Sequence, residues 1–121
     1  MKRKKIICFD LDNVICRTPI DNNYNKSIPI KKNIKKINEI YNQGYYVKIF
    51  TARYMGRCRQ NVNLAKKFGY KFTLNQLKKW NVKYHKLIFG KPSYDLFIDD
   101  KNLGHKNNWS TFIVKHLPSD N

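Results

Sequence analysis

The sequence predicts an α/β fold, a Rossmann-like and mainly parallel sheet flanked by helices. Three observations carry this. Short continuous apolar runs recur along the chain, two of them ending in paired acids. Between them lie segments whose apolar residues repeat at helical spacing, with lysines on the other face. Glycines then close those segments before the next apolar run. Strands buried on both faces read as such runs, and their alternation with helices implies right-handed crossovers in a parallel sheet.

Taken in order, Ile6-Ile7-Cys8-Phe9 is the first strand, ended by Asp10. A loop rich in Asn and Pro follows, from about Asn13 to Pro29. Ile30, Ile34, Ile37, Ile40 and Tyr41 then mark a helix, and Gly44 closes it as a C-terminal cap. Tyr45 to Phe50 reads as a second buried strand. From about Arg57 to Phe68, the spacing of Val62, Ala65 and Phe68 predicts another helix, closed by Gly69. Tyr70 to Phe72 is expected as an edge-like strand, and Thr73 as the cap of a short helix carrying Leu74, Leu77 and Trp80. Lys86 to Phe89 is ambiguous. Tyr94 to Ile98 reads as an apolar strand ending in acids, and Thr111 to Val114 as the last strand. No internal repeat, low-complexity block or linker is found, so residues 1–121 are expected to form one domain.

Composition agrees with a packed globule. The hydrophobic fraction is 41% and the aromatic fraction 14%, which excludes wholesale disorder, while 121 residues supply one core rather than two. The formal charge of +17 draws acidic partners: nucleic acid, an anionic surface or a phosphorylated metabolite. Lys, Asn and Ile are enriched together, as an AT-rich genome produces. The lysine pairs, such as Lys35-Lys36 and Lys78-Lys79, fit solvated helix faces better than a dedicated groove. Cys8, Cys16 and Cys58 are odd in number and lack metal-site spacing, which fits a reducing cytoplasm. The basic start is followed by too short an apolar run for a signal peptide, and nothing approaches membrane-spanning length.

The chain has only eight acidic residues, and half of them are Asp10, Asp12, Asp99 and Asp100. Both pairs fall just past the carboxyl ends of predicted core strands, where open parallel sheets bind ligands. An isolated D-x-D is common turn punctuation. Two acid pairs at strand ends in so acid-poor a chain point instead to a shared site, whose mutual repulsion a hard cation would relieve. Oxygen-only ligands favour Mg²⁺ over Zn²⁺. Thr51 follows Lys48-Ile49-Phe50 and has the hydroxyl to hold a phosphoryl oxygen, although a plain cap accounts for a lone Thr there as well. Lys91, in Gly90-Lys91-Pro92, shortly precedes the second acidic strand.

Together these residues resemble the haloacid dehalogenase superfamily. Phe9-Asp10-Leu11-Asp12-Asn13-Val14 looks like its first motif, and Ile49-Phe50-Thr51 like its second. Lys91 takes the place of the third motif's basic residue, and Ile98-Asp99-Asp100 is similar to the acidic fourth. The resemblance implies phosphatase chemistry. Asp10 would be the nucleophile, forming an aspartyl-phosphate. Asp12 would be the general acid and then the base. Thr51 and Lys91 would bind the phosphoryl oxygens. Mg²⁺ would be held by Asp10, the Asp12 backbone carbonyl and the Asp99/Asp100 pair. Asn13 stands where many relatives have Gly, and Asn tolerates a left-handed backbone. Lys101 is a substitute for Lys91, because Pro92-Ser93-Tyr94 leaves no room for the helix that usually follows the motif lysine.

Residues 13–29 are enough for a flap but not for a cap domain. A capless site suits a large substrate, or a lid supplied by the neighbouring subunit of a homo-oligomer. Arg53 and Arg57, with Arg59, are candidates for gripping a second anionic group, and simple solvated charge accounts for them equally well. Thr51-Ala52-Arg53, Gln76-Leu77 with Trp80, Tyr84-His85 with Leu87, and Gly90-Lys91-Pro92 are similar to small phosphatases of bacterial capsular or surface polysaccharide synthesis. That implies a sugar phosphate or nucleotide-sugar-linked phosphate as substrate. A polynucleotide end phosphatase and a non-catalytic basic nucleic-acid-binding protein are the alternatives. His85 and His105 lack a catalytic partner and read as structural or surface residues.

Overall fold

The computed structural model describes residues 4–92, 96, 103–104 and 109–118. In chain order its elements are β1 (Ile6–Asp10), β2 (Cys16–Arg17), a 3-10 turn at Tyr24–Lys26, β3 (Ile28–Pro29), α1 (Lys31–Asn42), β4 (Tyr46–Thr51), α2 (Val62–Lys79), β5 (Lys86–Phe89) and α3 (Trp109–Phe112), which runs into a second 3-10 turn at Ile113–His116. β1, β4 and β5 form a parallel three-stranded sheet with β4 between the other two. This is the mainly parallel, helix-flanked α/β architecture that the apolar runs predict, and the ambiguous Lys86–Phe89 is a strand.

The register places Phe9, Ile49 and Leu87 side by side on one face, and all three are buried. Cys8, Lys48 and Lys86 are the corresponding row on the other face and are less buried among the described residues. Helix α1 covers the buried face with Ile34, Ile37 and Ile40, whose i, i+3, i+6 spacing keeps them on one stripe while its lysines stay out. Burying each isoleucine contributes about 1.5–3 kcal/mol. Gly44 ends α1 at φ +97°, a left-handed conformation that glycine adopts without strain.

Helix α2 corrects the expectation for the middle of the chain. A helix closed by Gly69, a strand at Tyr70–Phe72 and a Thr73-capped helix are in fact one continuous helix, Val62–Lys79. The side chain of Asn61 caps it, accepting from Leu64 N at 3.0 Å. Its buried stripe is Ala65, Gly69, Thr73 and Leu77, small at three of four positions. Gly69 is there for close approach: a Cβ would come within 2.2 Å of the Tyr54 ring. Thr73 lies buried in mid-helix and caps nothing.

The C-terminal strand is also corrected. Thr111–Val114 spans the end of α3 and the start of the following 3-10 turn. Its β-branched residues suggest a strand, but burial follows Trp109, Ser110 and Ile113, a one-turn spacing rather than alternation. Trp109 packs on Phe9 with ring centroids 5.6 Å apart and ties α3 to the end of β1. The strand expected over 94–98 lies outside the described residues except for Leu96, which is exposed. No helix among the described residues is long and apolar enough to cross a membrane.

Candidate active site

Because β1, β4 and β5 run parallel, their carboxyl ends share one edge of the sheet, and Asp10, Thr51 and Lys91 gather there. Asp10 pairs with Phe50 in the register, one residue before Thr51. At the end of β5, Gly90 turns the chain at φ +107°, and Lys91 N donates to the Thr51 carbonyl at 3.2 Å. This extends the ladder by one bond and brings the Lys91 ammonium to 3.2 Å from Asp10 Oδ2. Lys91 therefore reaches Asp10 directly from the end of β5.

Asp10 keeps a partly open carboxylate, with 35% of its side chain exposed. Its Oδ1 accepts from Leu11 N at 2.9 Å. Burial pushes its proton affinity above the ordinary carboxylate range, while the Lys91 ammonium and the Leu11 N–H pull the other way. Thr51 is fully buried, and its Oγ1 accepts from Arg53 N at 3.0 Å.

Asp12 has a different setting. Past β1 the chain curls so that Ile15 N and Cys16 N both reach the Leu11 carbonyl. Asn13 sits at φ +65°, the left-handed turn that asparagine tolerates. Arg53 then forks onto the Asp12 carboxylate. Nε lies 3.1 and 3.0 Å from its two oxygens, and Nη2 lies 2.9 Å from Oδ1. Thr18 Oγ1 and Cys16 Sγ also donate to Oδ1. Burial and the Asp12 charge push the Cys16 thiol up to about 11, so it stays protonated and can donate.

The segment between β1 and α1 is a structured flap. β2 and β3 pair antiparallel, and the Thr18 and Ser27 hydroxyls meet across it at 2.7 Å. Its apolar tip residue Ile20 is fully exposed. Tyr24 turns inward, with its ring 4.5 Å from the Arg53 guanidinium carbon and 5.0 Å from the Tyr54 ring. Arg57 is exposed, stacks on Tyr54 at 4.8 Å and donates to the Asn22 carbonyl at 3.4 Å.

The structure thus gathers Asp10, Thr51 and Lys91 at one point and puts Asp12 beside them. It places Arg53 behind Asp12 with no exposed side-chain surface, and Arg57 against the flap from the loop before α2. Asp99, Asp100 and Lys101 lie outside the described residues. His85 stacks between Tyr41 and Tyr46 and accepts from Val47 N at 3.0 Å, a packing role. Thr18, Ser27, Thr73 and Gln76 surround Asp12 and Arg53 without having been signalled by spacing. Gln76 stands within the resemblance to small phosphatases, and the clue to the others is that an aspartate in a turn next to apolar Leu11 and Val14 needs compensation. For a cation, Asp10 offers carboxylate oxygen, and the donors on Asp12 Oδ1 leave that residue its backbone carbonyl. Such oxygen donors fit Mg²⁺. No group of three or more His, Cys, Asp or Glu that could hold a metal occurs among the described residues.

Fold and strand-end site define an α/β protein of the open parallel-sheet class. No protein-family profile matches the chain, and no curated protein does. Among solved structures it is similar to a structural-genomics target from Vibrio cholerae, with a TM-score of 0.79 at 23% identity, over 93% of this chain and 95% of that one. It is also similar to a chain in the Pnkp1/Rnl/Hen1 complex, with a TM-score of 0.51 at 18% identity, over 81% of this chain and 31% of that one. At these identities the likeness is one of fold.

Proposed function

We propose that the chain is a phosphohydrolase of the haloacid dehalogenase type, cleaving a phosphate monoester through an aspartyl-phosphate on Asp10. The observation that carries this is the Asp10–Lys91 contact at the shared end of parallel strands, with a second carboxylate two residues further on. In the first step an Asp10 oxygen attacks phosphorus, the bond to the leaving oxygen breaks, and that oxygen takes a proton from Asp12. In the second step Asp12 takes a proton from water as the water oxygen attacks phosphorus, releasing inorganic phosphate and free Asp10. Lys91 offsets charge on the transferring phosphoryl group, and Thr51 orders the loop beneath it. When bound, Mg²⁺ would be held by Asp10, the Asp12 carbonyl and the Asp99/Asp100 pair, and would neutralise phosphate charge beside the nucleophile.

The resemblance to small phosphatases of polysaccharide synthesis supports a sugar phosphate or nucleotide-sugar-linked phosphate as substrate, with exposed Arg57 available to a second anionic group. The test is phosphate release from 4-nitrophenyl phosphate with and without Mg²⁺, beside Asp10→Asn. Magnesium-dependent turnover, lost in that variant, is expected. Equal release by both proteins would sink the proposal.

The charge of +17 favours a second reading, a polynucleotide end phosphatase using the same residues. It requires preference for phosphorylated oligonucleotide ends over sugar phosphates, with binding that falls steeply with salt. Nucleic-acid binding that is indifferent to Asp10→Asn, without any turnover, would instead mark a binding protein.

A further inference from the structure

We infer that Arg53 is a positioning residue that sets which oxygen of Asp12 exchanges the proton, leaving Oδ2 for that task; this rests on the phosphohydrolase reading above. Four donor atoms converge on Oδ1: Arg53 Nε and Nη2, Thr18 Oγ1 and Cys16 Sγ. Oδ2 receives one, Arg53 Nε. A carboxylate oxygen has about two lone-pair directions, so Oδ1 is saturated and Oδ2 keeps one free among the described residues. A carboxyl that must hand over a proton and take one back needs one such oxygen in a constant orientation.

The fork itself is held from two sides. Nη1 donates to Gln76 Oε1 at 2.6 Å and to Thr73 Oγ1 at 3.4 Å, both on α2. Gln76 Nε2 then donates to the Tyr24 carbonyl at 2.6 Å, and the Tyr24 ring covers the guanidinium. With every nitrogen engaged and no exposed surface, Arg53 is spent inside the protein. Burying a guanidinium is costly unless its geometry and hydrogen bonds are complete, and here they are complete around one carboxylate. Lysine carries the same charge but lacks the planar fork, so charge and orientation can be separated by substitution.

The measurement is kcat/KM for 4-nitrophenyl phosphate and phenyl phosphate, similar in shape but with phenol the far poorer leaving group. This ratio reports steps up to formation of the aspartyl-phosphate, where the leaving oxygen needs its proton. In Arg53→Ala, activity on phenyl phosphate should fall at least about tenfold further than on 4-nitrophenyl phosphate. Arg53→Lys should keep that selective defect. Equal losses on both esters, or full recovery in Arg53→Lys, would overturn the positioning role and leave the phosphohydrolase reading intact. If the native chain turns over neither ester, both ideas fall together. Should Arg53→Ala not fold, Gln76→Met decides. It removes the 2.6 Å contact while keeping volume and helix propensity, and a smaller but selective loss on phenyl phosphate is expected. An unselective loss, or none, would overturn the inference.

Discussion

Asp10 and Asp12 stand two residues apart in one turn of chain, yet the fold treats them in opposite ways. Asp10 ends a strand, keeps a third of its side chain open and meets one ammonium. Asp12 sits past the strand, with 21% of its side chain exposed, gripped by a guanidinium that has no exposed surface. An open carboxylate can approach an incoming atom. A clamped one can only exchange a proton along a fixed direction. On the proposed phosphohydrolase reading, that difference would suit Asp10 to the nucleophile's part and Asp12 to the acid–base part.

The largest effect tests that division directly. Asp10→Asn removes the attacking oxygen's charge, and turnover of every phosphate monoester should fall by roughly 10⁴–10⁶-fold, as when a covalent nucleophile is lost. Asp12→Asn should cost less, roughly 10²–10⁴-fold, and the loss should grow as the leaving group worsens. Single-turnover kinetics over a series of aryl phosphates read both. If Asp12→Asn were as damaging to the best leaving group as to the worst, the two carboxylates would share one role and the contrast would fail.

Lys91 offers an intermediate effect. Its ammonium lowers the proton affinity of Asp10, against burial, which raises it. Lys91→Met removes the lowering influence, so the Asp10 carboxyl should titrate at still higher pH. The charged carboxylate would then be lost earlier as pH falls. Carboxyl ¹³C shifts of the metal-free chain, followed against pH, read this independently of activity. An unchanged Asp10 titration would mean that the 3.2 Å contact does not persist in solution.

Asp10 was legible in the sequence, and Asp12 was legible only by identity. A strand that ends in acid announces itself through an apolar run broken by charge, and the isoleucine stripe of α1 through its period. Lys91 needed Gly90, whose turn conformation projects the residue after it. Arg53 could not be read in the same way, because a buried arginine looks the same in sequence as a solvated one in a chain with 25 basic residues. Its partners come from the turn after β1, the flap and α2, and only the tertiary fold joins them. Gly69 misled for a related reason: glycine serves both as a helix end and as a place for close approach, and the Tyr54 ring that decides between them comes from the loop leading into α2.

That glycine supplies the smallest expected effect, and it bears on the Asp12 side alone. Mid-helix Gly→Ala ordinarily stabilises by about 1 kcal/mol. Here the new methyl would overlap Tyr54, whose backbone is already left-handed at φ +66°, and overpacking of this kind costs about 1–3 kcal/mol. Gly69→Ala should therefore lose about 1 kcal/mol net by urea unfolding. In a Tyr54→Ala background the same change should become stabilising, and the sign reversal measures the contact. Tyr54 leans on Tyr24, which covers Arg53, so a displaced ring should slow phenyl phosphate more than 4-nitrophenyl phosphate while the Asp10 titration stays where it was. A shift in Asp10 instead would show that the two carboxylates share a wall, and that the flap supports Asp10 as well as Asp12.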